Sequence, residues 1–87
     1  MQSFEYSITD DLGIHARPAG MLVRLAMNYK SEQTIARKDN SAPVSLKRIF
    51  TVMGLGVKCG DSVIISAEGE DEEQAINALQ DFFRQSL

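Results

Sequence analysis

Two hydrophobic periods alternate along this chain, and together they leave few ways to fold it. In "SFEYSIT" the apolar Phe4, Tyr6 and Ile8 point one way and Ser3, Glu5 and Ser7 the other, the period of a half-buried strand. "DDLG" closes that strand with turn residues. From Ala16 to about Asn28 the period changes. Ala19, Leu22, Val23 and Ala26 fall on one face of a helix. Pro18 is tolerated in its first turn, where backbone N–H groups lack intrahelical partners. "QTIARK" (33–38) and "APVSL" (42–46) read as short strands, with "DNS" (39–41) as the turn between them. Pro43 marks an edge or a strand start. "KRIFTVMG" supports one or two helical turns, and the β-branched "SVIISA" (62–67) suits a central strand. The last helix is the clearest. Asp71 and Gln74 have capping-box spacing, and Ala75, Ile76, Leu79, Phe82 and Phe83 form its apolar stripe. Glu72 and Glu73 suit its N-terminal end and Arg84 its C-terminal end.

The predicted order is therefore β-α-β-β-α-β-α. Alternating strands mixed with helices imply an α+β fold, an antiparallel sheet covered on one face by helices. No linker, repeat or low-complexity segment divides the sequence, so residues 1–87 are expected to form one domain with one modest core. A small binding module or a carrier suits that size better than an enzyme with a large cleft.

The net charge of −3 argues against a general nucleic-acid binder, which presents a basic face. The charges are segregated, however. Glu68, Glu70, Asp71, Glu72 and Glu73 cluster late in the chain and read as a solvated loop and helix start. Arg17, Arg24, Lys47 and Arg48 lie in the two segments that carry the candidate working face. The single cysteine, Cys59, excludes an internal disulfide. The start lacks a basic and apolar leader pattern, and no stretch approaches the ~20 apolar residues of a membrane span. A cytoplasmic location without membrane insertion is expected.

"GIHARPAG" holds the only histidine, His15, where a loop becomes a helix. The first N–H groups of a helix, here those of Ala16 and Arg17, point outward and with the macrodipole form an anion site. Arg17 adds a fixed positive charge, and Gly13 permits a close backbone approach. A helix start disfavours an imidazolium cation, so an imidazole placed there is kept nucleophilic. It could attack an electrophilic phosphorus and form a covalent intermediate, whose oxygens would then meet Arg17 and the N–H groups. For a histidine and an arginine taken alone, a capping or surface role is the commoner one.

The whole pattern carries more. "GIHARPA" followed by an apolar helix, then "VSLKRIFTVMGLGV" and "SVIISAEG", resembles the HPr family, the histidine-containing phosphocarriers of the bacterial phosphoenolpyruvate:sugar phosphotransferase system. The resemblance covers essentially the whole chain. It implies an open-faced β-sandwich of a four-stranded antiparallel sheet with three helices on one face, acting as a monomer. It implies that His15 accepts a phosphoryl group on Nδ1 from enzyme I and passes it to enzyme IIA domains. It implies that Arg17 holds the phosphoryl oxygens, and that no metal or cofactor is needed. On this reading the protein is a substrate of other enzymes rather than an enzyme itself.

The second motif departs from part of the family. Where many members carry a regulatory serine that a kinase phosphorylates, this chain has Arg48, which cannot accept the phosphate. Ser45 reads as a turn or cap residue before the short helix. Ile49, Phe50 and Met53 are too many apolar residues for a short helix to bury. At least one is expected in the core, and the others on an exposed docking patch with Arg48, completed by Gly20, Met21, Arg24 and Met27 of the first helix. Gly20 weakens that helix by ~1 kcal/mol. The segment between the second and third strands is about two residues longer than is usual in the family.

"GLGVKCG" fails as a dinucleotide fingerprint, because Cys59 stands where the third glycine belongs. One histidine and one distant cysteine make no metal site. Two other readings remain open at this point: a regulatory HPr-like binding module, and a phosphocarrier of a nitrogen-related phosphotransferase branch.

Overall fold

The computed structural model describes residues 1–39 and 42–87. The elements follow the order β1 (Gln2–Ser7), α1 (Ala16–Ala26), β2 (Glu32–Arg37), β3 (Val44–Ser45), α2 (Ile49–Gly54), β4 (Ser62–Glu68) and α3 (Glu72–Ser86). The four strands form one sheet in the order β1-β4-β2-β3, with every neighbouring pair antiparallel. β4 is central, as its β-branched sequence predicts. Its Val63, Ile65 and Ala67 face the helices and are fully buried, whereas Ile64 points to the open face. Ile65 lies in register with Phe4 on one side and Ile35 on the other.

The helices close over that inner face. Leu22 of α1, Val52 of α2 and Leu79 and Phe83 of α3 are completely buried in one cluster with Ile35, Leu46 and Ile65. The apolar stripes read from helical spacing are thus the surfaces that meet the sheet. Phe83 receives Phe4 and Tyr6 edge-on, with ring centroids 5.7 and 5.4 Å away. The result is the expected open-faced sandwich, with three helices on one side of a four-stranded antiparallel sheet. No helix among the described residues is long and apolar enough to cross a membrane.

Two local features, the length of β3 and the capping of α3, differ from the sequence expectation. β3 is only two residues long: Pro43 before it donates no N–H, and after it only the Leu46 N–H still reaches β2, donating to the Gln33 carbonyl at 2.9 Å, while the Leu46 side chain is buried in the core. The expected turn at 39–41 is present at Lys38 and Asp39, and its remaining two residues lie outside the described residues. The capping box at Asp71 and Gln74 does not form. Asp71 occupies the N-cap position but makes no side-chain bond to its own helix. Its carboxylate instead accepts the N–H groups of Lys30 at 2.7 Å and Ser31 at 2.8 Å. These bonds, that from Lys30 first, hold the Asp71 carboxyl below its ordinary range. Glu72 takes over at the helix start and accepts the Gly69 N–H at 3.1 Å. Part of the acidic run therefore ties α3 to the loop before β2, while Glu68, Glu70 and Glu73 stay exposed.

The approach of that loop depends on Gly69. Its φ is +144°, and a Cβ there would lie 2.9 Å from the Ser31 Cα. The same loop is held from the other side by Lys47, whose Nζ donates to the Tyr29 carbonyl at 2.9 Å.

Candidate active site

His15 stands at the N-cap of α1 with an extended backbone, φ −89° and ψ −177°. Its carbonyl accepts the first intrahelical bond, from the Ala19 N–H at 3.0 Å. The imidazole makes no capping bond to the helix, and about a third of it (36%) is exposed. The ring is thus left available rather than consumed by local structure. Pro18 has no N–H, so Ala16 and Arg17 supply the N–H groups that precede the first intrahelical bond.

The loop that delivers His15 is fixed from several directions. Gly13 takes φ +66°, and the Ile14 N–H donates to the Val57 carbonyl at 3.1 Å. Ile14 itself is buried in the core. The Gly13 N–H donates to the Asp10 carbonyl at 2.9 Å, and the Leu12 N–H donates to the Asp10 Oδ1 at 2.9 Å. The Leu87 carbonyl, just beyond α3, accepts from Thr9 N–H at 2.7 Å, Asp10 N–H at 3.1 Å and the Thr9 hydroxyl at 3.0 Å. The end of the last helix therefore braces the approach to the first.

His15 and Arg17 share one open depression of about 350 Å³ with Asp10, Pro18, Met21 and Ser86. The Asp10 Oδ1 lies 3.9 Å from the His15 Nε2. Sequence reading singled out His15, Arg17 and Met21 here, and took Pro18 as a structural residue. It missed Asp10 and Ser86. Asp10 was visible only as part of a turn, and Ser86 arrives from the opposite end of the chain.

The residues expected on a docking patch divide. Phe50 is 85% exposed, and Met21, Met27, Met53, Arg24 and Arg48 are also at the surface. Ile49 turns inward and packs against the core, as expected of at least one of the three apolar residues on α2. Gly20 is half-buried, and a Cβ there would lie 3.8 Å from Ile49 Cδ1, so these two belong to the seam between α1 and α2. Arg48 is the N-cap of α2 and makes no capping bond. Ser45 acts as a turn residue: its Oγ accepts the Lys47 N–H at 3.1 Å. Thr51 stitches the start of α2 by donating to the Arg48 carbonyl at 2.8 Å. Of the glycines of "GLGVKCG", Gly54 ends α2, and Gly56 and Gly60 lie between α2 and β4 rather than on a strand-to-helix turn; Cys59 is exposed in that loop.

This sheet order and these helices match solved phosphocarriers closely. The histidine-containing phosphocarrier protein of Mycoplasma superimposes with a TM-score of 0.92 at 36% identity, over 98% of this chain and 94% of that one. HPr from Thermoanaerobacter tengcongensis gives a TM-score of 0.89 at 38% identity, over 98% of this chain and 93% of that one. The fold, shared at these identities, thus defines the class as that of phosphocarrier proteins. A sequence-family model described as "PTS HPr component phosphorylation site" matches residues 2–85. The phosphocarrier protein HPr of Mycoplasma pneumoniae is 38% identical over 80 residues, which cover 92% of this chain and 90% of that protein. The chain belongs to the HPr family.

Proposed function

We propose that this chain accepts a phosphoryl group from phospho-enzyme I on His15 Nδ1 and hands it to enzyme IIA domains that serve sugar uptake. The observation that carries the reading is the meeting of His15 and Arg17 in one depression at a helix start, beside N–H groups that precede the first intrahelical bond. The Nδ1 lone pair forms a bond to phosphorus as the bond between phosphorus and the donor breaks. The phosphoryl oxygens, equatorial during transfer, lie against the Arg17 guanidinium and the N–H groups of Ala16 and Arg17. Passing the group onward reverses the step on the acceptor. The carrier is unchanged after the cycle, so it turns over only in the presence of its partners.

The exposed side chains of α1 and α2 supply the docking surface in this reading. Phe50 and Met53 present apolar area, Met21 and Met27 extend it, and Arg24 and Arg48 add charge. A carrier that serves several partners gains from such an adaptable surface. Arg48 offers no hydroxyl for phosphorylation, so control by a kinase at this position is chemically closed.

The test is reconstitution. The chain is mixed with enzyme I, phosphoenolpyruvate and magnesium, and phosphorylation is followed by intact mass, with His15→Ala as control. An enzyme IIA is then added. The expected result is an acid-labile adduct on the parent alone, lost when the acceptor arrives. A parent that stays unmodified with several active enzymes I would overturn the proposal.

A further inference from the structure

Asp10 and His15 come from different local structures, one from the turn after β1 and the other from the cap of α1. They face each other across the depression, with Asp10 Oδ1 3.9 Å from His15 Nε2. Both are partly shielded, the Asp10 side chain 31% exposed and that of His15 36%. The separation exceeds a direct hydrogen bond, so the interaction is one of charge with dipole.

Asp10 is not free to move away. Its backbone N–H donates to the Leu87 carbonyl at 3.1 Å, and its carbonyl accepts the Gly13 N–H at 2.9 Å. Its Oδ1 accepts the Leu12 N–H at 2.9 Å, which locks the side chain into a turn with its own backbone. A fixed carboxylate oxygen therefore faces one named nitrogen of the ring.

A neutral imidazole carries its proton on one nitrogen and a lone pair on the other. With the proton on Nε2, the positive end of the N–H dipole faces the carboxylate. With the proton on Nδ1, the Nε2 lone pair faces it instead. The first arrangement is favoured and the second penalised. We infer that Asp10 is a positioning residue that holds the His15 proton on Nε2 and so leaves the lone pair on Nδ1. A carboxylate beside one ring nitrogen fixes the tautomer in catalytic triads and metal sites by the same physics. The carboxylate also repels an anionic phosphoryl group approaching Nε2. The inference deepens the carrier reading above, because Nδ1 is the nitrogen that reading assigns to the phosphoryl group.

The tautomer can be read without any partner protein. His15 is the only histidine, so ring-labelled ¹⁵N-histidine gives one pair of ring resonances. A long-range proton–nitrogen correlation at about pH 9, well above ordinary histidine titration, reports the ratio of Nε2–H to Nδ1–H. Asp10→Asn removes the charge but keeps an oxygen for the Leu12 N–H. Asp11→Asn removes a neighbouring exposed charge as control, and the backbone amide spectrum reports that each variant is folded. The expected result is a ratio roughly two- to fivefold lower in Asp10→Asn, the size a partly exposed charge contact supports, with Asp11→Asn unchanged. A parent-like ratio in Asp10→Asn, or an equal fall in Asp11→Asn, would overturn the inference. Neither result depends on whether the ring accepts phosphate, so the two readings fail separately.

Discussion

A Cβ placed on Gly13 would lie 2.3 Å from the carbonyl oxygen of Val57, closer than any non-bonded carbon can sit. That carbonyl is the acceptor for the Ile14 N–H, so the loop before α1 is pressed against the loop before β4 with no room for a side chain. Gly13→Ala should therefore unfold or displace this junction. Combining the left-handed φ with the clash, the expected loss is about 3 kcal/mol. Urea unfolding measures it, and a loss below ~1 kcal/mol would mean that the two loops can separate cheaply.

Gly20 is the opposite case. It lies inside α1 with no left-handed φ, and a Cβ would make ordinary contact with Ile49 Cδ1 at 3.8 Å. Gly20→Ala should raise stability by ~0.5–1 kcal/mol, chiefly by restricting the unfolded chain. Thermal unfolding checks this, and a lower midpoint would show that the α1–α2 seam is tighter than the contact distance implies.

Asp71 predicts a pH dependence with a definite sign. Its carboxyl is lowered from 3.8 in the folded protein, so the stability it contributes is present above that value and lost as the pH falls through the folded pKa. Asp71→Asn should be less stable than the parent near neutral pH. The gap should close on acidification below 3.8, within the range where the protein remains folded. Urea midpoints measured across that range test it, and a constant gap would contradict a linkage through this group.

Phe50, at 85% exposure, should matter for partners and not for folding. Phe50→Ala is expected to leave stability within ~0.5 kcal/mol of the parent. It should weaken binding to enzyme I about tenfold, or ~1.4 kcal/mol. Calorimetric titration supplies the affinity. Unchanged affinity would move the docking surface away from α2.

Much of this architecture was legible because periodicity is set by burial. Phe4 and Tyr6 on β1, and Leu79 and Phe83 on α3, recur at spacings that only a one-sided sheet and a stripe-faced helix can bury together. The helix-start histidine was legible for the same reason, since Pro18 and the apolar spacing after it fix where α1 begins. What was not legible depends on contacts between distant segments. Asp71 has capping-box spacing, yet its oxygens go to Lys30 and Ser31, a choice set by the close approach at Gly69. Asp10 reads as a turn residue, and only the fold shows that its carboxylate faces His15. Ser86 reaches the same depression from the last helix, where no local pattern announces it.

The central claim is that phosphorus bonds to one nitrogen of one side chain. The most direct measurement is a phosphorus–nitrogen coupling in ¹⁵N-histidine-labelled protein after treatment with enzyme I and phosphoenolpyruvate. A phosphorus signal coupled to His15 Nδ1 is predicted. Phosphorus on a hydroxyl or on Nε2, or no phosphorus on the protein at all, would contradict it.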